Sequence, residues 1–573
     1  MDSRAREKKD SCHRRPRRCT AAPALLLVVV LALVSLVAAT PAHAADRPRV
    51  VVIGLDGADW DILDPFLEGG YLPHLKALVE QGARGLLEST IPPNSPPAWR
   101  TAVTGVNPGK HGLFDFPEWI ENRYGMNLPR CFDKRAKPCW VYLTEQEKTS
   151  LFINMPTMYP PEPIQGRMIG GLLSPETAPT ITYPPELLEK YPGYQIDVTS
   201  PFNLDHLEGH LNDIRRITEK RLGAALQEME EVDWDLAWVV FTGCDRVQHR
   251  YLGFNNPKHS LYRHPARPQY EHAIRDYWVL LDRAIGEIVA QAPPGTTVIL
   301  MSDHGHTHTG PLLLMYGWLH SLGLWQAEMK ELELPWYQRI FVSKKTLAET
   351  RAPTILWEQT QAYASGYKGI FINLKGREPQ GIVSPGAEYE ALRERIIREA
   401  ALLRDPFDGS PVFKSVRKRE DVYEGVFVPD APDLLFERNN DYVALDRLLT
   451  RTNDAGETEI ITWIIGGESF LLSGQHDSDG LVAVSGPDVA AGAVIESASL
   501  CDLLPTIYYC LDLPLPRYLE GRLLPVFPEE RLRSKPPVYT DDTLYIEPPE
   551  SAPLSDEDRL AIREQLRALG YIQ

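Results

Sequence analysis

RVVVIGLDG, residues 49–57, runs a set of β-branched and apolar residues, with no polar break, into an Asp-Gly pair. A half-exposed strand would alternate apolar and polar residues. An unbroken apolar run of this length reads as a strand covered on both faces, the habit of parallel sheets flanked by helices. Similar runs follow at 150–154 (SLFIN), 236–242 (LAWVVFT), 296–302 (TTVILMS), 368–373 (KGIFIN), 432–437 (PDLLFE) and 481–485 (LVAVS). Helical patterns fit 72–83, 98–104, 205–230, 268–291 and 387–404. Strands alternating with helices predict an α/β fold on a doubly wound, mostly parallel sheet. The irregular stretch 113–235, rich in Pro, Tyr and Trp, reads in part as an inserted cap, and 306–366 as a second.

The ends of the chain differ from this body. Residues 1–44 place a basic stretch before the apolar run Ala21–Ala39 and the small-x-small site Ala42-His43-Ala44. That is the pattern of a secretory signal peptide, so the protein is expected to be exported, periplasmic or secreted. An uncleaved N-terminal anchor is the alternative, because the apolar run approaches the ~18 residues of a spanning helix. No other run is long enough to span. The segment carries eight Lys/Arg and three Asp/Glu, so the formal charge of −18 for 573 residues becomes −23 for the remainder. Such an acidic chain argues against a stable nucleic-acid partner. Seven cysteines, of which Cys131, Cys139, Cys244, Cys501 and Cys510 lie beyond the segment, are too few for a disulfide scaffold, although Cys131 and Cys139 could pair. The tail 546–573 ends in an amphipathic helix, 554–573, with Leu560, Ile562, Leu566 and Leu569 on its expected docking side.

In a doubly wound sheet ligands sit outside the carboxyl ends of the strands. Asp56 follows the first run, Asp245-x-x-x-His249 the run at 236–242, and Asp303-His304 the run at 296–302, while His476 precedes the run at 481–485. Singly such residues are commonplace: an i, i+4 pair on a surface, a turn, a helix cap. Their recurrence at strand ends makes them a set of three Asp and three His, donors suited to zinc, with manganese or iron as alternatives. Six such ligands can hold two divalent ions with open positions, a standard device for phosphate-ester hydrolysis.

Ile91-Pro-Pro-Asn-Ser95-Pro-Pro-Ala-Trp-Arg-Thr-Ala-Val-Thr104-Gly105-x-x-Pro108-x-x-His111-Gly112 resembles the nucleophile segment of the alkaline phosphatase superfamily, closest to its type I phosphodiesterase/nucleotide pyrophosphatase branch. Residues 49–125, 235–310 and 470–525 carry the resemblance, including Asp502-x-x-Pro505-Thr506 and Leu519-Glu520-Gly521. It implies an alkaline phosphatase-type sheet over 45–545 and Ser95 as the covalent nucleophile. It also implies one metal on Asp245, His249 and His476, and another on Asp56, Asp303, His304 and the Ser95 oxygen. The implied partner is a small phosphate ester: a phosphodiester, phosphoanhydride or phosphomonoester. The helix start after Ser95 is expected to offer backbone N–H groups to the phosphoryl oxygens.

The branch commonly has Asn three residues after the nucleophile, where this chain has Ala98. Asn94, Arg100, Thr101 and His306 are the candidates for contacting substrate instead. A sulfatase on the same fold needs an arginine at a spacing that Arg100 misses by one residue. A phosphomutase shares the phosphoserine chemistry, and a non-catalytic exported binding protein would be expected to have lost ligands. Oligomeric state is not legible in the sequence.

Overall fold

The structure is a computed structural model that describes residues 47–116, 136–175, 181–198, 202, 204–331, 351–365, 369–406, 408–439, 443–445, 450–452, 458–464, 473–546 and 555–569. The expected signal segment and Cys131 lie outside the described residues. Pro48–Gln573 is one unit.

The first apolar run is strand β1 (Val50–Leu55), at the middle of a nine-stranded sheet. The others are β2 (Ala83–Glu88), β3 (Ser150–Met155), β4 (Gly166–Gly170), β5 (Thr182–Tyr183), β6 (Leu236–Phe241) and β7 (Thr297–Met301). A hairpin of β8 (Gly305–His308) and β9 (Gly474–Asp477) stands beside it, and β10 (Asp479–Ser485) and β11 (Ala493–Ile495) return to the sheet. The order is β11-β2-β10-β7-β1-β6-β3-β4-β5. β1 pairs in parallel with β6 and with β7, so Leu55 lies opposite Phe241 and Gly54 opposite Met301. β10 runs antiparallel to both β2 and β7, and β5 antiparallel to β4.

Both faces are covered, as the unbroken apolar run requires. Val51, Ile53 and Leu55 pack toward α2 (Pro73–Gln81), which follows α1 (Trp60–Glu68). Val50 and Val52 face Trp99 and Ala102 of α3 (Ser95–Thr104). The first face is completed by α4 (Leu207–Glu231), by α5 (Gly243–Tyr251) and by α6 (Ala273–Gln291). The second face is completed by α7 (Leu503–Cys510). At ~25 cal/mol per Å2 of apolar surface, these two buried layers dominate the favourable side of folding.

The runs at 368–373 and 432–437 are strands, but not of this sheet. Gly369–Ile372 and Leu434–Arg438 form an antiparallel four-stranded sheet with Ala362–Ser365 and Phe413–Lys418, covered by helix Ala387–Leu402. An apolar run states that a strand is buried, not against which neighbours. The polypeptide between β8 and β9 therefore carries a second layered structure reaching far beyond residue 366. The terminal helix, α8 (Asp556–Leu569), seats Ile562 and Leu566 against Phe116, Leu172 and Leu173. Leu560 is instead 54% exposed. It lies two residues, about 200°, around the helix from Ile562. Among the described residues no helix is long and apolar enough to cross a membrane.

Candidate active site

Because β7, β1 and β6 are neighbours, Asp303-His304, Asp56 and Asp245 leave the sheet side by side at its carboxyl edge. Asp245 and His249 share one face of α5, four residues apart. The antiparallel direction of β10 brings its beginning to that same edge, and His476 on β9 arrives with it. Topology thus converts four distant sequence segments into one site.

Two clusters meet there. In the first, His304 Nε2 stands 3.3 Å from Asp303 Oδ2, 3.6 Å from Asp56 Oδ1 and 3.2 Å from Ser95 Oγ. In the second, Asp245 Oδ1 is 3.2 Å from His249 Nε2 and 3.4 Å from His476 Nε2, and those two nitrogens are 3.0 Å apart. The clusters touch where the His304 and His476 rings stack with centroids 3.7 Å apart.

These donors fit divalent cations. Nδ1 of His249 donates to Gly474 O, of His476 to Pro93 O and of His304 to Gly305 O, at 2.7, 2.9 and 2.9 Å. A carbonyl can only accept, so each imidazole carries a proton on Nδ1 and turns its Nε2 inward, the orientation that outer partners impose on metal-ligating histidines. Facing them, Asp56 Oδ1 and Asp303 Oδ2 are buried without a hydrogen-bond donor. Burial, together with the Asp303 and Asp245 charges, holds the Asp56 carboxyl well above the usual range, and burial raises Asp303 as well. Burial would also raise Asp245, but His249 and Arg246 outweigh it and hold that carboxyl well below its ordinary value. Burial pushes His304 down to about 4 and lowers His476, so both rings are neutral near pH 7. Carboxylates crowded with lone pairs and too few protons are electrostatically incomplete without cations.

Ser95 opens α3 with its side chain fully buried beside His304. The expected row of helix N–H donors does not form, because Pro96 and Pro97 occupy the next two positions and have no N–H, while Ala98 N–H already bonds Asn94 O. Ser95 N–H is what remains of the first three. The other candidates are engaged elsewhere. Asn94 donates to Asp115 Oδ1 at 2.9 Å, and Arg100 to Thr157 O at 2.5 Å. Thr101 Oγ1 meets His111 Nε2 at 3.0 Å, while His111 Nδ1 accepts from Leu113 N. His306 is buried at the back of the Asp245 cluster, its Nδ1 3.5 Å from Asp245 Oδ1. The motif residues after the helix are clamps: Gly105 caps α3 in the left-handed region at φ +67°, and Glu520 accepts from Asn107 N and Nδ2.

Several contributors were not anticipated. Trp99 Nε1 donates to Asp56 Oδ2 at 3.3 Å; its spacing of four from Ser95 places both on one helix face, a signal present in the sequence. Arg246 contacts Asp245 Oδ2 and is held from behind by Asp197 at 2.7 Å. Nothing in the sequence near Asp197 announces that contact. Beside His476 the site opens into a small cleft lined by Ile91, Thr307 and Gln475 and, from the second sheet, Phe436 and Arg438. Arg438 Nη1 donates to Gln475 Oε1 at 3.0 Å, which ties the second sheet to the β8–β9 hairpin at the mouth.

The inactive murine ectonucleotide pyrophosphatase/phosphodiesterase 5 in complex with AMP aligns with 81% of this chain and 95% of its own, at 13% identity and a TM-score of 0.45. Phosphonoacetate hydrolase from Sinorhizobium meliloti 1021 in complex with phosphonoformate aligns over 81% and 95%, at 13% identity and 0.47. The human ectonucleotide pyrophosphatase/phosphodiesterase 5 aligns over 85% and 99%, at 12% identity and 0.45. No curated protein gives a significant sequence match. The family model for type I phosphodiesterase/nucleotide pyrophosphatase matches residues 50–459, which include Ser95 and every Asp and His of the two clusters except His476. By that match, over well more than half its length, the chain belongs to the type I phosphodiesterase/nucleotide pyrophosphatase family, within the alkaline phosphatase superfamily that its motifs resemble.

Proposed function

We propose that the protein is an exported two-metal phosphohydrolase in which Ser95 is the covalent nucleophile toward a phosphodiester, phosphoanhydride or phosphomonoester. The observation that supports this reading most is the placement of Ser95 Oγ, buried and 3.2 Å from His304 Nε2, at the rim of the Asp56–Asp303–His304 cluster. Asp56, Asp303, His304 and Ser95 would hold one divalent ion and Asp245, His249 and His476 the other, zinc in the first instance. Such ions supply charge neutralisation of the phosphoryl group and lower the pKa of oxygen nucleophiles.

The chain's own groups do the rest. Trp99 and the Gly57 N–H, 3.2 Å from Asp303 Oδ1, keep the two carboxylates apart and aimed. The helix that carries Ser95 is pinned at its far end by Gly105 and Glu520, so the hydroxyl is presented without reorganisation. Ser95 Oγ loses its proton to solvent and attacks phosphorus, the bond to the leaving oxygen breaks, that oxygen takes a proton from water, and a phosphoseryl enzyme forms. Water then attacks the same phosphorus and frees Ser95. In this reading the leaving group would lie toward the cleft beside His476, which Phe436 and Arg438 line.

The test is a rate comparison on p-nitrophenyl phosphate, bis-p-nitrophenyl phosphate and p-nitrophenyl sulfate with metal analysis. Phosphate esters should turn over and the sulfate should not. Ser95→Ala should lose about 10⁴-fold or more while remaining folded. Unchanged turnover in that variant refutes the mechanism. Export is tested by locating the full-length product and sequencing its N-terminus, where a start at Ala45 supports cleavage.

A further inference from the structure

His306 has no role in the hydrolytic reading, yet the structure spends several residues on placing it. It is 2% exposed, and neither ring nitrogen has a hydrogen-bond partner. A buried neutral imidazole retains one N–H and one lone pair, and leaving both unsatisfied costs free energy that a core does not normally tolerate. Its backbone N–H is fixed by Asp59 Oδ2 at 3.0 Å. Two glycines make the room: a Cβ on Gly57 would stand 3.2 Å from His306 Nδ1, and one on Gly474 would stand 2.6 Å from Nε2.

The hairpin explains where the ring points. His306 on β8 is the direct cross-strand partner of His476 on β9. Directly opposed residues in an antiparallel pair project to the same face. The hairpin therefore delivers two imidazoles to Asp245, not one.

The donor separations from Asp245 Oδ1 are those of a coordination polyhedron. Around a tetrahedral zinc with bonds of 2.0–2.1 Å, adjacent donor atoms are separated by about 3.3 Å. Asp245 Oδ1 lies 3.2 Å from His249 Nε2, 3.4 Å from His476 Nε2 and 3.5 Å from His306 Nδ1, and the two Nε2 atoms are 3.0 Å apart. The donor atoms of Asp245, His249 and His306 all lie within 4.8 Å of one another.

From this geometry we infer that His306 is a fourth protein ligand of the metal held by Asp245, His249 and His476. The inference rests on the two-metal reading and adds to it an asymmetry. One site is nitrogen-rich, three imidazoles and a carboxylate. The other, formed by Asp56, Asp303, Ser95 and His304, is oxygen-rich. Imidazole donors favour zinc, and oxygen donors accept manganese, so the nitrogen-rich site fills first with zinc.

The experiment is zinc K-edge X-ray absorption on the full chain loaded with one zinc, beside a zinc titration of the metal-free protein. Three imidazoles per zinc are expected, falling to two in His306→Gln, with affinity at that site reduced by about 100-fold or more. Two or fewer imidazoles in the unsubstituted chain overturns the inference, and that measurement does not depend on the variant folding. A variant with unchanged affinity and imidazole count overturns it as well. A chain that binds no zinc removes the two-metal reading and this inference together. Zinc bound by three imidazoles in a protein whose Ser95→Ala variant keeps full turnover would sustain this inference while removing the nucleophile.

Discussion

Two buried aspartates, Asp56 and Asp433, are alike in exposure and opposite in company. Asp433, in the second sheet, is fully buried and accepts from Arg377 Nη1 and Nη2 at 2.7 and 2.6 Å, from Tyr389 Oη at 2.5 Å and from Ile372 N at 2.6 Å, with Arg419 Nη1 at 3.2 Å. Asp56, equally buried, has one long bond from Trp99 and faces two more carboxylates. The first is a structural charge neutralised by the protein. The second is a carboxylate that no charged cationic side chain among the described residues contacts. Burial alone does not mark a functional carboxylate; the absence of local compensation does.

That contrast can be broken at either end. The largest effect is expected from Asp433→Ala, which removes the shared acceptor of the partly buried Arg377 and Arg419, of Tyr389 Oη and of Ile372 N and should cost about 3 kcal/mol of unfolding free energy with no loss of bound metal. Urea denaturation and metal analysis would check it, and unchanged stability would erase the distinction. Asp303→Asn should do the reverse. Affinity for a cation at the Asp56 cluster falls by more than about 100-fold, with turnover following, while the metal-free chain is as stable as before or more so because a repulsive charge is gone. Trp99→Phe, which removes only the donor behind Asp56, should weaken that site about tenfold in a metal titration.

The smallest effect is in the pH dependence. Asp56 and Asp303 have folded-state pKa values raised above their ordinary values, so the metal-free fold holds protons that the unfolded chain has released. Its stability should therefore be greatest near and below pH 4 for these groups and fall as pH rises through the raised values, by at most about 1.4 kcal/mol per pH unit for each group. Divalent metal competes for the same oxygens and should reverse the slope. Thermal midpoints at pH 5 and pH 8, with chelator and with zinc, test this. The lowered pKa values of His304, His306 and His476 contribute the opposite slope, so the readout is the difference from Asp303→Asn: a stability gap between the two metal-free chains that does not widen from pH 5 to pH 8 refutes it.

Much of this was legible in the residues. The run at β1, the helices that cover it and the gathering of Asp and His residues at strand ends follow from periodicity and from the rule that sites lie at the carboxyl edge. What was not legible depended on partners remote in sequence. β2 (ARGLLE) carries charges at both ends of a half-exposed pattern and does not announce itself as a strand. The strands at 369–372 and 434–438 read correctly as strands, but which sheet received them was a matter of tertiary pairing. Arg100 and Thr101 looked free because their partners, Thr157 O and His111, are contacts that helix geometry alone does not specify. The loss of N–H groups at Pro96 and Pro97, in contrast, was written in the sequence.

The antiparallel strand β10 also has a consequence for how the protein is made. It fills the slot between β2 and β7, so until residues 479–485 have been synthesised those two strands have unpaired edges in the middle of the future sheet. Such edges are prone to pair with other chains, and contacts this distant in sequence form slowly. His476 enters with the same segment. Closing the sheet and completing the donor set are thus one late event: a chain released before that point would have neither a sealed core nor a finished centre, and quality control of the fold would double as a check on the capacity to bind metal.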